Sequence, residues 1–281
     1  MLATMEPPQL TLVYDNYGTP STTAPGTSVI PGATNAEGAW TSIATGANIA
    51  QDIYGILLWI SGANVTTADK SQILDLGGDA AGGTNYQAYL SNICCGSSGF
   101  SLDGGYWYWF PLLLKAGTQV AVRVQGSNGT AGTVRVAAQF WGRPLSPHAT
   151  KVGRYSETIG TITNSGGQSF TPGNSGADGA WQSLGTTTRN CWWWQLCPQI
   201  SNGTITALIY YLDLAYGDTS NKHFIIKKAA LFVTGTIEKV NLPLQMTGYC
   251  DVPAGATLYV RGTCSGTAVT GFNATAVGIG G

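Results

Sequence analysis

Pro31-Gly32... Glu37-Gly38-Ala39-Trp40-Thr41-Ser42-Ile43 returns 141 positions later as Pro172-Gly173... Asp178-Gly179-Ala180-Trp181-Gln182-Ser183-Leu184, with the proline-to-tryptophan spacing unchanged. A second pair follows in the same order. Ala116-Gly117-Thr118-Gln119-Val120-Ala121-Val122-Arg123 is echoed 138 positions on by Ala254-Gly255-Ala256-Thr257-Leu258-Tyr259-Val260-Arg261, and the same offset pairs Ser127 with Ser265 and Gly142 with Gly280. Two matched blocks at nearly one offset indicate a duplicated domain of roughly 135 residues and not a short-period solenoid. A duplicated catalytic unit duplicates its chemistry. Few chemical groups recur here, so no enzyme is expected.

The 281 residues leave room for two domains, each able to bury a core. Glycine is frequent, at 39 residues, and charged residues make up only 10%. Low charge does not mean disorder in this chain, because 43% of it is hydrophobic, including nine Trp and thirteen Tyr. Apolar runs such as Ile56-Leu57-Leu58-Trp59-Ile60 are far shorter than a membrane span. The opening Met1-Leu2-Ala3-Thr4-Met5-Glu6-Pro7-Pro8 lacks a basic region followed by an apolar core, so no secretory signal is expected. With a net charge of -1 and no basic cluster beyond Lys227-Lys228, no nucleic-acid partner is expected either.

No window carries a helical apolar period free of Gly, Pro and β-branched residues, whereas strand signals run throughout. The first repeat predicts strands near 9–14, 40–43, 53–60, 72–76, 86–90, 106–114, 119–125 and 134–141. The second predicts them near 157–162, 181–184, 191–196, 205–214, 223–232, 240–247, 257–263 and 272–277. Val120, Val122 and Val124 point inward and Gln119, Arg123 and Gln125 outward. The Gly126–Gly132 loop then reads as the turn of an antiparallel hairpin that closes each repeat. The expected fold is all-β, two tandem antiparallel β-sandwiches of jelly-roll type, with a seven-stranded immunoglobulin-like sandwich as the rival. The divisions are an N-terminal strand with a Gly/Thr-rich arm (1–30), a first sandwich completed by that strand (31–142), a proline-containing linker (143–151) and a second sandwich (152–281).

Three acidic positions have counterparts in both repeats: Glu37 with Asp178, Asp75 with Asp213, and Asp79 with Asp218. Paired carboxylates serve glycoside hydrolysis or calcium binding, but carboxylates beside glycines at strand ends more often cap turns. Arg123 and Arg261 are equivalent as well, and read as architectural. His148 and His223 are far apart and unmatched between the repeats, so they offer no catalytic triad. Cys94, Cys95, Cys191, Cys197, Cys250 and Cys264 fit no zinc pattern and read as buried thiols. Disulfides Cys191 with Cys197 and Cys250 with Cys264 are the alternative. No metal or other cofactor is expected.

The aromatic runs Tyr106-Trp107-Tyr108-Trp109-Phe110 and Trp192-Trp193-Trp194 carry the sharpest binding expectation. On a strand one set fills the core and the other points out, either to a domain or subunit contact or to stack on a glycan. The two runs are not at equivalent positions in the repeat.

Several of these segments resemble virion structural proteins of tailed bacteriophages. They are the Pro31 to Trp40 opening, the Leu74 to Gly77 strand end, the Phe110 to Thr118 strand-to-turn step, the Ala121 to Val124 strand and the final Val134 to Gly142 strand. The second repeat keeps part of the pattern in Asp213-Leu214-Ala215 and Val252-Pro253-Ala254-Gly255. The resemblance implies a virion location and a surface or adaptor role without catalysis. The expectation is a capsid decoration (cement) protein that is assembled in the host cytoplasm. Its partners would be the major capsid protein or other virion proteins, with a homo-oligomer such as a trimer. The alternative is a receptor- or carbohydrate-binding module of a tail or head fibre, with a host surface glycan as partner.

Overall fold

The computed structural model describes residues 10–16, 26–61, 71–96, 106–127, 129, 132–144, 151–162, 165–200, 208–234, 238–241, 246–267 and 272–281. They form strands and turns. The first half contains β1 (Leu10–Asn16), β2 (Thr27–Val29), β3 (Thr41–Ala44), β4 (Gly55–Ser61), β5 (Gln72–Asp79), β6 (Gln87–Cys94), β7 (Tyr106–Phe110), β8 (Gln119–Gly126) and β9 (Val134–Pro144). The second contains β10 (Tyr155–Ile159), β11 (Thr161–Ile162), β12 (Gly166–Phe170), β13 (Gln182–Thr186), β14 (Cys191–Ile200), β15 (Leu208–Gly217), β16 (Lys222–Thr234), β17 (Glu238–Asn241), β18 (Thr247–Val252), β19 (Thr257–Cys264) and β20 (Phe272–Gly280).

Both halves follow one strand order. In the first, the sheet β1-β9-β4-β7, with β2 also on β9, faces β3-β8-β5-β6. In the second, β12-β20-β14-β18, with β10 also on β20, faces β13-β19-β15-β16. Two antiparallel sheets connected in this crossed order make the jelly-roll type of sandwich. Alternation decides what each strand buries. Ile56, Leu58 and Ile60 of β4 and Tyr106, Tyr108 and Phe110 of β7 meet Leu74, Leu76, Val122 and Val124 from the opposite sheet in one core. Leu196, Phe272 and Ala274 meet Leu212, Leu214 and Val260 in the other.

The inward valines of β8 are where the sequence put them, but the hairpin is not. β8 pairs with β3 and β5 while β9 pairs with β1 and β4, so the two strands belong to opposite sheets. An inward apolar stripe identifies the buried face and leaves the partner strand open, and two sheets facing one core carry the same stripe. The strand expected at 240–247 is instead two, β17 and β18, the one expected at 157–162 divides into β10 and β11, and the short β2 and β12 fall in stretches where no strand was expected. β9 runs on to Pro144, paired with Leu10, so the strand extends into the expected linker. Residues 17–25 of the arm and 145–150 of the linker lie outside the described residues.

The two sandwiches are docked. Every residue of β20 is buried, because its even positions Phe272, Ala274 and Ala276 enter the second core while Val277 and Ile279 join the first. β14 behaves likewise: Trp194 and Leu196 face inward, and Trp193 and Cys197 pack on the first half. β6 lies across this sheet. Its edge carbonyls at Tyr89 and Ser91 accept from the hydroxyls of Ser156 and Thr158. The Thr275 hydroxyl donates to Asn92 O at 3.0 Å and accepts from Cys94 N at 3.3 Å. Gln199 Oε1 takes the backbone N–H groups of Gln72 (3.1 Å) and Gly96 (2.7 Å). At the rim Gly153 bonds to Pro111 and Leu113, and a Cβ there would stand 2.0 Å from Ile279 Cγ2, so only glycine fits.

The seam predicts its own test. Thr275→Val keeps the shape but removes the bonds that the hydroxyl makes to Asn92 O and Cys94 N at the seam, at a cost of about 1–3 kcal/mol. A lower urea midpoint at unchanged fold is expected. An unchanged midpoint would mean that the hydroxyl contributes nothing.

Candidate functional site

The repeated charges come together as one cluster, built twice. Asp75 on β5 lies opposite Arg123 on β8, and Asp213 on β15 lies opposite Arg261 on β19. Arg123 Nε is 2.9 Å from Asp75 Oδ2 and its Nη1 reaches Glu37, while its guanidinium sits 4.5 Å over the Trp40 ring. Arg261 Nε is 2.8 Å from Asp213 Oδ2, its Nη2 is 2.8 Å from Asp178, and it sits 4.4 Å over Trp181. The second oxygen of each buried carboxylate accepts a backbone N–H at 2.7 Å, from Asn92 or Lys228. Both donors have left-handed backbone, φ 57° and 53°, at the point where the β5/β6 and β15/β16 registers slip. A bulge thus aims an N–H at the acid in each half. In the second, Lys228 Nζ adds bonds to Asp178 and to Thr263.

In each half one arginine thus bridges two acids and ties up a carboxylate oxygen of each. Asp79 accepts from the N–H groups of Ala81 and Asn85, and Asp218 from those of Ser220 and Asn221, which makes them loop caps. Among the described residues no three His, Cys, Asp or Glu are grouped to hold a metal. His223 is exposed beside the Tyr216 ring, and His148 lies outside the described residues.

All six cysteines are free thiols. Cys191 and Cys197 share β14, so about 20 Å of strand separates them, against the roughly 6 Å between Cα atoms that a disulfide needs. Cys250 on β18 and Cys264 on β19 belong to opposite sheets, and Cys264 Sγ donates to Gly266 O at 2.8 Å. Burial, together with the Glu157 carboxylate, pushes the Cys191 thiol up to about 12. It is inert at neutral pH.

The aromatic runs separate by face. Tyr106, Tyr108 and Phe110 fill the first core, and Trp107 and Trp109 point outward, half-buried. Trp192, Trp193 and Trp194 are only 6%, 3% and 0% exposed. The first two lie in the seam and the third in the second core. Trp192 and Trp193 therefore pack against the first half, and Trp194 packs within the second. Trp107 belongs to a larger face that the sequence did not single out. Its ring is 6.1 Å from Trp59, and Leu57, Gln139 and Trp141 continue the face across β4 and β9. Trp109 lies flat over Gly55, where a Cβ would stand 2.1 Å from the ring. At the margin Gln139 donates to Asp15 at 3.4 Å, and desolvation pushes that acid's pKa up. The available signal was the outward parity of Leu57 and Trp59 within a strand that read as continuously apolar.

No family model matches the chain, and no curated protein does. Among solved structures it is similar to PNGF-II, with TM-score 0.34 and 6% identity, covering 91% of this chain and 65% of that one. The chain therefore spans less than two thirds of PNGF-II. It is also similar to the tandem CBM22-1-CBM22-2 domains of Paenibacillus barcinonensis Xyn10C, with TM-score 0.26, 11% identity and coverage of 96% and 90%. A third similarity is to Infectious Bursal Virus derived T=1 particles, with TM-score 0.24, 10% identity and coverage of 83% and 56%.

Two predictions follow from the clusters. Arg123→Met strands Asp75 as a buried charge and costs about 3–5 kcal/mol, and adding Asp75→Asn restores much of it. Chemical denaturation of the single and double variants reads this directly. The second concerns acid. Bonds from Lys228 and then from Thr263, with Arg261 adding to them, hold the Asp178 carboxyl below its ordinary value of 3.8. Its contribution is complete above that value and fades as pH falls through the lower folded one. Asp178→Asn should therefore flatten the fall in melting temperature below about pH 4. Equal acid sensitivity in both proteins would remove Asp178 from the account.

Proposed function

We propose that the chain is a non-enzymatic structural protein of a tailed-bacteriophage virion, most simply a capsid decoration protein that acts through protein–protein contacts. One observation carries this reading. The outer face of the β12-β20-β14-β18 sheet is already a protein contact within the chain, and the corresponding face of the first sandwich presents the half-buried Trp107 and Trp141, with the buried Trp59 packed against Trp107. Large aromatics on a flat sheet are the residues that anchor interfaces. The repeated acids, which would be the natural catalytic candidates, are held by arginine in both halves. The sequence resemblance to virion proteins supplies the setting, with the major capsid protein as partner.

A second reading keeps the same face and changes its occupant. Trp107 and Trp109 stand two residues apart on one strand, half-exposed, beside the polar Gln139 and Asp15. Such a platform stacks on sugar rings, which suits a host-glycan-binding module of a fibre.

The deciding experiment mixes the purified chain with undecorated capsids and with tails, pellets each, and counts copies. Hundreds of copies on capsids support decoration. A few on tails, together with glycan-array signals that vanish in Trp107→Ala, would replace it with receptor binding.

A further inference from the structure

The docking of the two sandwiches uses one surface from each, and the shared strand order leaves the complementary pair unused. In the first sandwich the surface is the end of the β5/β6 sheet. Ile73 and Cys94, paired across the ladder two residues from the bonded Asp75 and Asn92, are 3% and 0% exposed because the second sandwich covers them. The matching pair in the second sandwich, two residues from Asp213 and Lys228, is Tyr211 and Ala230. Here Tyr211 is 36% exposed, and Phe232 beyond it is 38% exposed. The other half of the contact repeats in the same way. Aligned on Gly142 and Gly280, the seam residues Thr275, Val277 and Ile279 correspond to Ala137, Gln139 and Trp141, and Cys197 corresponds to Trp59. The seam set is buried; among its counterparts Ala137 and Trp59 are buried as well, whereas Gln139, Trp141 and the adjoining Trp107 are partly open.

We propose that a second copy of this chain occupies the tryptophan face. The exposed Tyr211-Phe232 end of one copy's second sandwich, with the half-buried Ile209 beside it, docks on the Trp107-Gln139-Trp141 face of another's first sandwich and repeats between copies the contact made within each chain. Both surfaces have the required character. One is an apolar sheet end with projecting aromatic rings, and the other a flat aromatic sheet face that Gln139 makes partly polar. Because the two surfaces differ, the contact is heterologous and runs head to tail, closing into a ring or extending as a filament. This rests on the reading of the tryptophan face as a protein contact and adds its occupant. Its test needs the purified chain alone, so it can fail while capsid binding stands, and the reverse.

Sedimentation of the full chain across a concentration series provides the test. The wild type is expected to form species of several copies. Tyr211→Glu with Phe232→Glu removes the donor end, and Trp107→Glu with Gln139→Glu removes the acceptor face. Each double variant, checked for folding by circular dichroism, is expected to sediment as a monomer. Mixed in equal amounts they are expected to form a one-to-one pair and stop there, since each retains one competent surface. The more exposed donor substitutions keep the test decisive if the acceptor variant does not fold. A wild type that stays monomeric at every concentration overturns the proposal. So does a folded variant that assembles like the wild type, or a mixture of folded variants that stays monomeric.

Discussion

Water is excluded from both faces of the sheet centred on β20 and β14, and most of the molecule's arrangement follows from that exclusion. An antiparallel sheet in a sandwich ordinarily has one dry face and one wet one, with apolar and polar residues alternating. β20 reads instead as Phe-Asn-Ala-Thr-Ala-Val-Gly-Ile-Gly. Its even positions are small after Phe272, which leaves room for the Trp194 ring against Gly278. Its odd positions carry the hydroxyl, amide and branched chains that meet the neighbouring sandwich. Serving two interiors with one strand ties the burial of the second half to the presence of the first.

The same constraint governs how far the fold could be read from residues alone. The repeat was visible because its motifs lie at turns and around the arginine clusters, where backbone geometry tolerates few alternatives. The parity of β8 and β7 was legible for the ordinary reason that one face is dry. Pairing was not: β8 and β9 carry the same inward valines because they look at one core from opposite sides. The tryptophans of β14 were ambiguous for the converse reason. A strand buried on both faces loses the alternation from which burial is inferred, and a run such as Cys191 to Leu196 is compatible with several orientations. Only the seam resolves them. Gln199, which looks misplaced in an apolar strand, is explained there by the two backbone N–H groups it accepts.

The arginine clusters illustrate how a recurrent charge need not be a recurrent activity. Removing Asp75 or Asp213 from water is costly, and the attraction of Arg123 or Arg261 offsets that cost only because a backbone N–H satisfies the remaining oxygen. The required N–H comes from a residue with left-handed backbone, so charge, bulge and register are fixed together. The outer acid differs, Glu37 in one half and Asp178 in the other, and the shorter side chain is accompanied by Lys228 in place of Asn92.

β6 carries one more consequence. As the last strand of its sheet it ends in a row of carbonyls, which in isolation is a template for the strand of any passing chain. Here Ser156, Thr158 and Thr275 answer those carbonyls with hydroxyl groups, which satisfy the edge without offering a new one. Sheet growth is terminated by side chains rather than continued by backbone. A first half separated from its companion would regain a raw edge, flanked by the apolar Ile73 and Cys94, and would be prone to fibrous aggregation. The second half therefore protects the first from the polymerisation that its own sheet invites.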